Sequence, residues 1–203
     1  MSRGLLIVVS APSGCGKGTI LAEVLKNDNY YYSISATTRS PREGEKDGIN
    51  YHFLSKTQFE ELISNNGMLE YASYCDNYYG TPKKQVDEML ENGKDVILEI
   101  EVQGAMKIRE TCPDAVFVFI LPPSIPELRR RLYKRGTEQE DIINKRVSKA
   151  KDEISFADKY DYVITNGELD KAVTDFLTVI NAEKFRVTRS KKIIDEVLNY
   201  DNA

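Results

Sequence analysis

Apolar residues form short uninterrupted runs, separated by segments in which they recur at helical spacing. The runs 5–9 (LLIVV) and 115–121 (AVFVFIL) contain no polar residue, as is typical of strands buried on both faces of a parallel sheet. A third run, 95–101, is apolar inside and ends in carboxylates. Between the runs, apolar residues every three or four positions indicate helices. The pattern predicts an α/β fold with a parallel-sheet core flanked by helices.

Shorter elements fill the remaining chain. Further strands are predicted at 30–35, 50–54, 68–74, 78–81 and 162–164. Helices are predicted to begin near residues 17, 55, 81, 105, 124, 137 and 169. Thr81 is expected to be an N-cap, with Pro82 at the first helical position. Asp76-Asn77 is a turn between two adjacent strands, so we predict a small antiparallel insertion distinct from the parallel sheet.

Residues 11–19 (APSGCGKGT), between the first strand and the first helix, indicate a phosphate-binding loop. Glycines let several backbone N–H groups converge on phosphate oxygens, and the helix N-terminus adds partial positive charge. Lys17 would place an ammonium on the phosphates. The loop departs from the G-x-x-x-x-G-K-[ST] pattern at Ala11 and Gly18. The hydroxyl for Mg²⁺ is therefore not set by spacing, which leaves Thr19 or a water as alternatives.

Three other stretches carry candidate chemistry for anions or metal. Arg39 and Arg42 lie in a polar loop, where they form either a phosphate clamp or an incidental solvated charge. The run 95–101 is an apolar strand that ends in carboxylates, which matches the Walker B pattern, in which the acid holds Mg²⁺ or its waters, although this pattern is also common by chance. Two predicted helices that meet at Gly136 are basic and form either a solvated face or a cationic lid over phosphates. Their basic residues are Arg129, Arg130, Arg131, Lys134, Arg135, Lys145 and Arg146.

Composition restricts the class of protein. The 203 residues suit one α/β domain, and a net charge of −4 does not favour general nucleic-acid binding. No apolar run approaches membrane-spanning length, and the few residues before the first strand are too short for a signal peptide. The 3 cysteines have neither a disulfide nor a zinc spacing, which favours a reducing cytoplasm. Cys15 is expected to be a small packing residue rather than a reactive thiol.

Six ordered motifs resemble guanylate kinases. They are 10–19 (SAPSGCGKGT), 35–42 (SATTRSPR), 48–53 (GINYHF), 78–81 (YYGT), 98–104 (LEIEVQG) and 135–137 (RGT). The resemblance covers about residues 4 to 185, and several motifs in order are far more specific than one. Glu101 is often Asp in the family and Thr81 is often Ser. Both departures keep their chemistry, although Glu101 needs more room.

The resemblance implies a kinase that transfers a phosphoryl group from ATP to GMP or dGMP with Mg²⁺. Residues matched for ATP are Ala11, Pro12, Ser13, Gly14, Cys15, Gly16, Lys17, Gly18, Thr19 and Asn166. Those expected to hold the GMP phosphate are Arg39, Arg42, Tyr51 and Tyr79, and those expected to contact guanine are Ser35, Glu70, Thr81 and Glu101. The catalytic residues are expected to be Lys17, Arg39, Arg131, Arg135 and Arg146, with Glu99 near Mg²⁺ through a water.

The implied fold is a P-loop NTPase-like domain with an insertion and a helical lid. The core is expected at about 1–34, 94–123 and 156–185, the GMP-binding insertion at about 35–93, and the lid at about 124–155. The tail 186–203 has no assigned role. Expected partners are the small molecules ATP and GMP or dGMP, with no nucleic acid and no membrane. A homo-oligomer is compatible with the sequence but not indicated by it.

The chemistry of guanine agrees with the base-reading residues, although the resemblance remains the main reason to prefer that role for Glu70 and Thr81. Guanine offers O6 and N7 as acceptors and its amino group and N1–H as donors. Ser35 and Thr81 can donate, whereas an ionised Glu70 can only accept. Adenine would leave that carboxylate facing a lone pair, a mismatch that discriminates by roughly four to five orders of magnitude. Solvent exposure of Glu70 and helix capping by Thr81 are the alternative interpretations.

Two other functions compete with that of a GMP kinase. Guanylate-kinase-like domains in scaffold proteins bind peptides without catalysis, but typically have a damaged phosphate loop and accompanying modules. This chain retains Gly16, Lys17, Arg135 and Arg146 in a single domain. A kinase for AMP, dTMP or a sugar phosphate is the second rival, against which Ser35, Glu70 and Thr81 argue. No general base is needed, because the acceptor phosphate is already largely ionised, with a second pKa of about 6.

Overall fold

The computed structural model describes residues 3–134 and 139–199. The strands are β1 (Leu6–Ser10), β2 (Tyr30–Tyr32), β3 (Ala36–Thr37), β4 (His52–Phe53), β5 (Met68–Tyr74), β6 (Asn77–Pro82), β7 (Asp95–Glu99), β8 (Val116–Leu121) and β9 (Tyr162–Thr165). The helices are α1 (Lys17–Val24), α2 (Lys56–Ser64), α3 (Lys83–Glu91), α4 (Val102–Thr111), α5 (Ile125–Lys134), α6 (Glu140–Ile154), α7 (Leu169–Lys184) and α8 (Lys191–Leu198).

The central layer is a parallel sheet in the strand order β2-β7-β1-β8-β9. β1 lies in the middle, and its apolar residues are buried on both faces, as the uninterrupted run predicted. In a parallel sheet all strands end at the same edge, where ligands of α/β proteins bind. The loop after β1, Glu99 at the end of β7 and the residues after β9 therefore meet at one edge.

Helices cover both faces of this sheet. On one face α1 and α7 pack against the sheet, with Ile20, Leu21 and Phe176 buried in the same apolar cluster. On the other face the cluster includes Ile108 of α4 and Phe119 of β8. The apolar spacing that predicted α1 and α7 therefore identified the buried faces of both helices. The predicted fold class is confirmed.

The insertion forms a second, mixed sheet in the order β4-β3-β6-β5. β5 and β6 are antiparallel and joined at the predicted turn, whereas β3 pairs parallel with β4. The predicted strand 30–35 is divided here, because the chain leaves the parallel sheet after Tyr32 and enters the second sheet at Ala36. A change of sheet over three residues leaves no break in hydrophobic pattern, so the sequence indicated one strand.

The predicted N-cap at Thr81 is wrong. Pro82 occupies the N-cap position of α3, without a side-chain capping bond, and Thr81 belongs to β6. Its hydroxyl is buried and bonds to another side chain instead. The capping box at Ser55 and Gln58 is present as predicted. Thr137, predicted to cap the second lid helix, lies outside the described residues.

α5 and α6 pack against each other through a small cluster of their own, which includes Leu128, Leu132, Ile143 and Val147. Leu132 also reaches the loop after β1, where a Cβ on Gly14 would lie 2.6 Å from its Cδ2 atom. Close approach of α5 therefore requires glycine at this position, where φ is also +88°. Across residues 3–134 and 139–199, none of the helices combines the length and apolar character needed to span a bilayer.

Candidate active site

The loop after β1 has the geometry of a phosphate cradle. Gly16 is the N-cap of α1 with φ 90°, a left-handed conformation that favours glycine. A Cβ there would also lie 2.6 Å from Asn166 Nδ2. That amide donates to the carbonyl of Cys15 at 2.7 Å, which ties the loop to the end of β9. Asn166, expected near adenine, is thus brought beside the loop by the fold.

The loop lines a cleft of about 520 Å³. Lys17 points into it, with Nζ 3.4 Å from Glu99 Oε1. The residues that line the cleft are Ala11, Pro12, Ser13, Gly14, Cys15, Gly16, Lys17, Gly18, Thr19, Glu99, Glu101, Val102, Lys149 and Glu153. All nine loop positions predicted for ATP therefore share one cavity with the predicted Walker B acid.

Arg131 connects α5 to the loop after β1. Its guanidinium donates to the carbonyl of Cys15 at 3.3 Å and to that of Asn166 at 2.9 Å. Glu127, one turn earlier on α5, accepts from Arg131 at 2.8 Å. Bonds from Arg130 and then Arg131 lower the pKa of Glu127 to about 2, so the Glu127 carboxylate is ionised at any working pH. Arg131 is therefore held over the loop before nucleotide arrives.

Arg146 on α6 also reaches the loop, where its guanidinium donates to Ser13 Oγ at 2.5 Å. Two predicted lid arginines therefore lie beside the loop, at Cys15 and Ser13. The predicted catalytic residue Arg135 lies outside the described residues, so its role stays a prediction.

Cys15 is a packing residue of the loop. Its side chain is buried in the cluster between the sheet and α1, and its thiol lies 3.5 Å from the carbonyl of Ile120. Burial raises the pKa of the Cys15 thiol to about 12. Because the thiolate is the reactive form, this thiol is inert at neutral pH. The expectation of a small filler is met.

In the predicted phosphate clamp, Arg39 and Arg42 both donate hydrogen bonds to the carboxylate of Glu45. Arg39 donates two bonds, at 2.8 and 3.0 Å, to the carboxylate of Glu45, and Arg42 N donates to the same carboxylate at 2.8 Å. The rings of Tyr51 and Tyr79 contact each other edge to face, and Arg39 lies 5.5 Å from the centroid of Tyr51. The hydrogen bond from Arg39 lowers the pKa of Glu45. This site therefore binds an anionic group bidentately.

Glu70 and Thr81 meet on neighbouring strands. They are paired in the β5–β6 register, and Thr81 Oγ1 donates to Glu70 Oε1 at 2.9 Å. Glu70 is only 8% exposed, which excludes the alternative of a solvent-facing strand acid. Burial raises the pKa of Glu70, while the bond from Thr81 and the charge of Lys107 act against it. A carboxylate has more acceptor positions than the bond from Thr81 uses, so Glu70 can also accept from a ligand donor.

The other two residues predicted for guanine are positioned differently. Ser35 lies half-buried between β2 and β3, and its carbonyl accepts from His52 N at 2.9 Å. Glu101 is the N-cap of α4, and its side chain is 75% exposed. Its carboxylate lies 3.9 Å from Lys149 of the lid. Contact of Ser35 or Glu101 with a base stays a prediction.

Sequence reasoning missed two residues that shape this region. Glu45 follows Arg42 by three residues across a turn with Gly44 at φ 84°, and an acid so close to a predicted clamp was the available signal. Gly104 on α4 leaves room for Glu70, since a Cβ there would lie 2.9 Å from Glu70 Oε2. The Glu70–Gly104 contact is tertiary and has no local signal.

The sequence model of the family described as guanylate kinase matches residues 3–183. The chain belongs to the guanylate kinase family. A guanylate kinase of Latilactobacillus sakei is 53% identical over 201 residues, covering 96% of this chain and 99% of the relative. One of Clostridioides difficile is 53% identical over 197 residues, covering 97% and 96% of the two chains. The crystal structure of guanylate kinase from Anaplasma phagocytophilum has a TM-score of 0.74 at 34% identity, covering 93% and 90%.

Family membership confirms several predictions at once. The family, the fold class, and the activity of a nucleoside-monophosphate kinase that phosphorylates GMP are confirmed by these relatives. None of the comparisons favours the alternatives of a catalytically inactive binding module or of a kinase for another monophosphate. The division into core, insertion and lid, and the role of each site residue, stay predictions.

We expect Gly104→Ala to weaken GMP binding without loss of stability. The new Cβ would lie 2.9 Å from Glu70 Oε2 and would displace the Glu70 carboxylate. KM for GMP should then rise by about ten-fold, because the loss of one hydrogen bond to a charged group weakens binding by about that factor. Alanine in a helix is favoured over glycine by about 1 kcal/mol, which offsets strain. Steady-state kinetics and thermal melting test this. KM for ATP should stay unchanged, and an unaltered KM for GMP would contradict the placement of Gly104.

GMP affinity should decrease in acid because of Glu70. Its pKa in the free protein is raised above the ordinary value of 4.5, and protonation removes an acceptor from guanine donors. The ratio of the GMP dissociation constants of wild type and Glu70→Gln should therefore rise as pH falls, starting above pH 4.5. Titration of the GMP phosphate affects both proteins equally and cancels in the ratio. A ratio independent of pH would show that Glu70 does not contact the base.

Proposed function

We propose that the chain transfers the γ-phosphoryl group of ATP to GMP or dGMP, giving ADP and GDP or dGDP. The core, about 1–34, 94–123 and 156–185, would hold ATP, the insertion, about 35–93, would hold the acceptor, and the lid, about 124–155, would close over both. The observation that carries this proposal is the buried Glu70–Thr81 pair, which packs at Gly104 of α4, the helix whose first residue lines the phosphate-loop cleft. A buried acceptor that faces N1 and C2 of the base suits guanine, which has N1–H and the 2-amino group as donors there, and not adenine, which has only the N1 lone pair.

On the donor side, residues 11–19 would bind the ATP phosphates through backbone N–H groups and the N-terminus of α1. Lys17 would bind the phosphate that is transferred. In the structure Lys17 forms an ion pair with Glu99, with 3.4 Å between Lys17 Nζ and Glu99 Oε1. This contact is long, so a phosphate oxygen can replace Glu99 as the partner of Lys17. Asn166 would contact adenine, since it lies beside the loop.

On the acceptor side, Arg39, Arg42, Tyr51 and Tyr79 would hold the GMP phosphate. Bidentate binding of the Glu45 carboxylate by Arg39 supports this, because guanidinium forks recognise carboxylate and phosphate by the same geometry. The phosphate would displace Glu45 or share the clamp with it. Guanine would lie at Glu70 and Thr81, with Ser35 and Glu101 completing its contacts.

Transfer would proceed by alignment and charge neutralisation. The acceptor oxygen is already ionised, so no side chain has to remove a proton. Lys17, Arg39, Arg131, Arg135 and Arg146 would neutralise the charge that spreads over the transferring group. Contacts of Arg131 and Arg146 with the phosphate loop support a lid that delivers them there. Lid closure would also exclude water, which otherwise competes as acceptor.

The residues in the cleft fit Mg²⁺. Glu99 and Thr19 line it with oxygen donors of the kind Mg²⁺ prefers, and no group of three or more His, Cys, Asp or Glu side chains positioned for a metal occurs in the described part of the chain. Mg²⁺ would therefore take most ligands from phosphate and water, with Glu99 acting through a water. When bound, Mg²⁺ would supply positive charge that offsets the negative charge of the ATP phosphates.

We further propose that the protein acts in the cytoplasm on free nucleotides, in purine nucleotide metabolism and GMP recycling. The test is an assay with purified protein, ATP and magnesium, offering GMP, dGMP, AMP, dTMP and a sugar phosphate in separate reactions and measuring the phosphorylated product. GMP and dGMP should be the efficient acceptors. Equal rates with AMP, or no product with GMP, would contradict the proposed function.

A further inference from the structure

Tyr32 bonds to the acid at the centre of the cleft. Its hydroxyl donates to Glu99 Oε2 at 3.0 Å, while Glu99 Oε1 lies 3.4 Å from Lys17. Tyr32 ends β2 and Glu99 ends β7, and these strands are neighbours with Tyr32 opposite Ile97. The two oxygens of one carboxylate thus have different partners on opposite sides.

Packing holds Tyr32 at the Glu99 carboxylate. The ring packs against the apolar cluster between the sheet and α1. The phenol hydroxyl has one proton, which it donates to Glu99 Oε2. Glu99 lines the phosphate-loop cleft, so the bond from Tyr32 acts at the proposed ATP site.

We propose that Tyr32 is a positioning residue that fixes the Glu99 carboxylate with Oε1 facing Lys17 and the metal-bearing phosphates of ATP. The inference rests on the proposed function of Glu99. The terminal torsion of a glutamate is soft, with a broad two-fold preference. The partly exposed ion pair between Lys17 and Glu99 Oε1, at 3.4 Å, does not fix that torsion. The hydrogen bond from Tyr32 to the other oxygen, Oε2, fixes it.

Tyr32→Phe removes the hydroxyl and keeps the ring in its packing site. We expect kcat to fall about ten-fold and KM for GMP to stay unchanged, because a hydrogen bond to a charged group is lost away from the acceptor. A readout independent of turnover is ATP binding by calorimetry with and without magnesium. Magnesium should strengthen ATP binding less in the variant than in wild type, while metal-free ATP binding should be equal in both.

The matched control is Tyr31→Phe. Tyr31 is the preceding residue of β2, and its hydroxyl bonds to Gln85 at 3.4 Å, away from the cleft. This variant should behave as wild type in every measurement. Tyr32→Phe matching Tyr31→Phe would overturn the inference, and so would equal losses of ATP affinity with and without magnesium.

A second set of variants separates positioning from a loss of fold. If Tyr32 acts through Glu99, then Tyr32→Phe should have no further effect on magnesium-dependent ATP binding in a Glu99→Gln background. Additive losses would overturn the inference. If magnesium has no effect on ATP binding by the wild type, the proposed role of Glu99 fails, and the role of Tyr32 fails with it. If the wild type responds and Tyr32→Phe responds equally, only the inference fails.

Discussion

Lys17→Ala is expected to lower kcat by at least about 10³-fold, the range known for cationic groups that neutralise a transferring phosphoryl group. GMP affinity should stay within about two-fold, since the proposed clamp at Arg39 and Arg42 is on a different element. The physical reason is that Lys17 would act on charge that develops only in the transition state.

The measurement is a comparison of single-turnover rates with GMP affinity from calorimetry. Lys26→Ala is the control, because Lys26 is an exposed lysine just after α1 that pairs only with neighbouring Glu23 in the described structure. It should leave the rate unchanged. Equal losses of rate and GMP affinity in Lys17→Ala would show that Lys17 holds the fold of the site rather than the transferred phosphate.

Glu70→Gln is expected to lower kcat/KM for GMP by about 10²- to 10⁴-fold, because two hydrogen bonds from guanine to a charged acceptor would be weakened or lost. The NH₂ group of glutamine is a donor, and where it faces the guanine donors no hydrogen bond forms. ATP affinity should be unchanged. The variant should be no less stable than wild type, because burial already disfavours the charged form of Glu70, as its raised pKa indicates.

Kinetics with GMP and a thermal melt check both parts. Glu61→Gln, an exposed acid on α2, is the control for the loss of one negative charge. It should bind GMP as wild type does. A Glu70→Gln protein with normal GMP kinetics would remove Glu70 from the base site.

The sequence correctly predicted the features that depend on residues close together in the chain, namely the buried strands, the buried helix faces and the loop 11–19. The apolar runs predicted β1 and β8, and the spacing of Ile20 and Phe176 predicted which faces of α1 and α7 are buried. The loop 11–19 was identified because its glycines, its lysine and its flanking elements are consecutive in the chain. Fold and phosphate loop are therefore readable without a structure.

Contacts that join distant segments were not readable. Thr81 was assigned to a helix cap because Thr-Pro before an apolar repeat is a good helix start, yet pairing with Glu70 across eleven residues gives its hydroxyl another partner. Tyr32 was a strand residue in an apolar pattern, and its bond to Glu99 arises only when β2 lies beside β7. These residues acquire their partners from strand pairing, which hydrophobic periodicity does not encode.

The central claim is that a buried carboxylate selects guanine by accepting its donors. The most direct test is a competition between GMP and IMP, which keeps N1–H and O6 but lacks the 2-amino group. With ATP and magnesium, wild-type protein should form GDP about 10- to 100-fold faster than IDP at equal concentrations, the effect of one charge-assisted hydrogen bond. Equal formation of GDP and IDP would contradict the account.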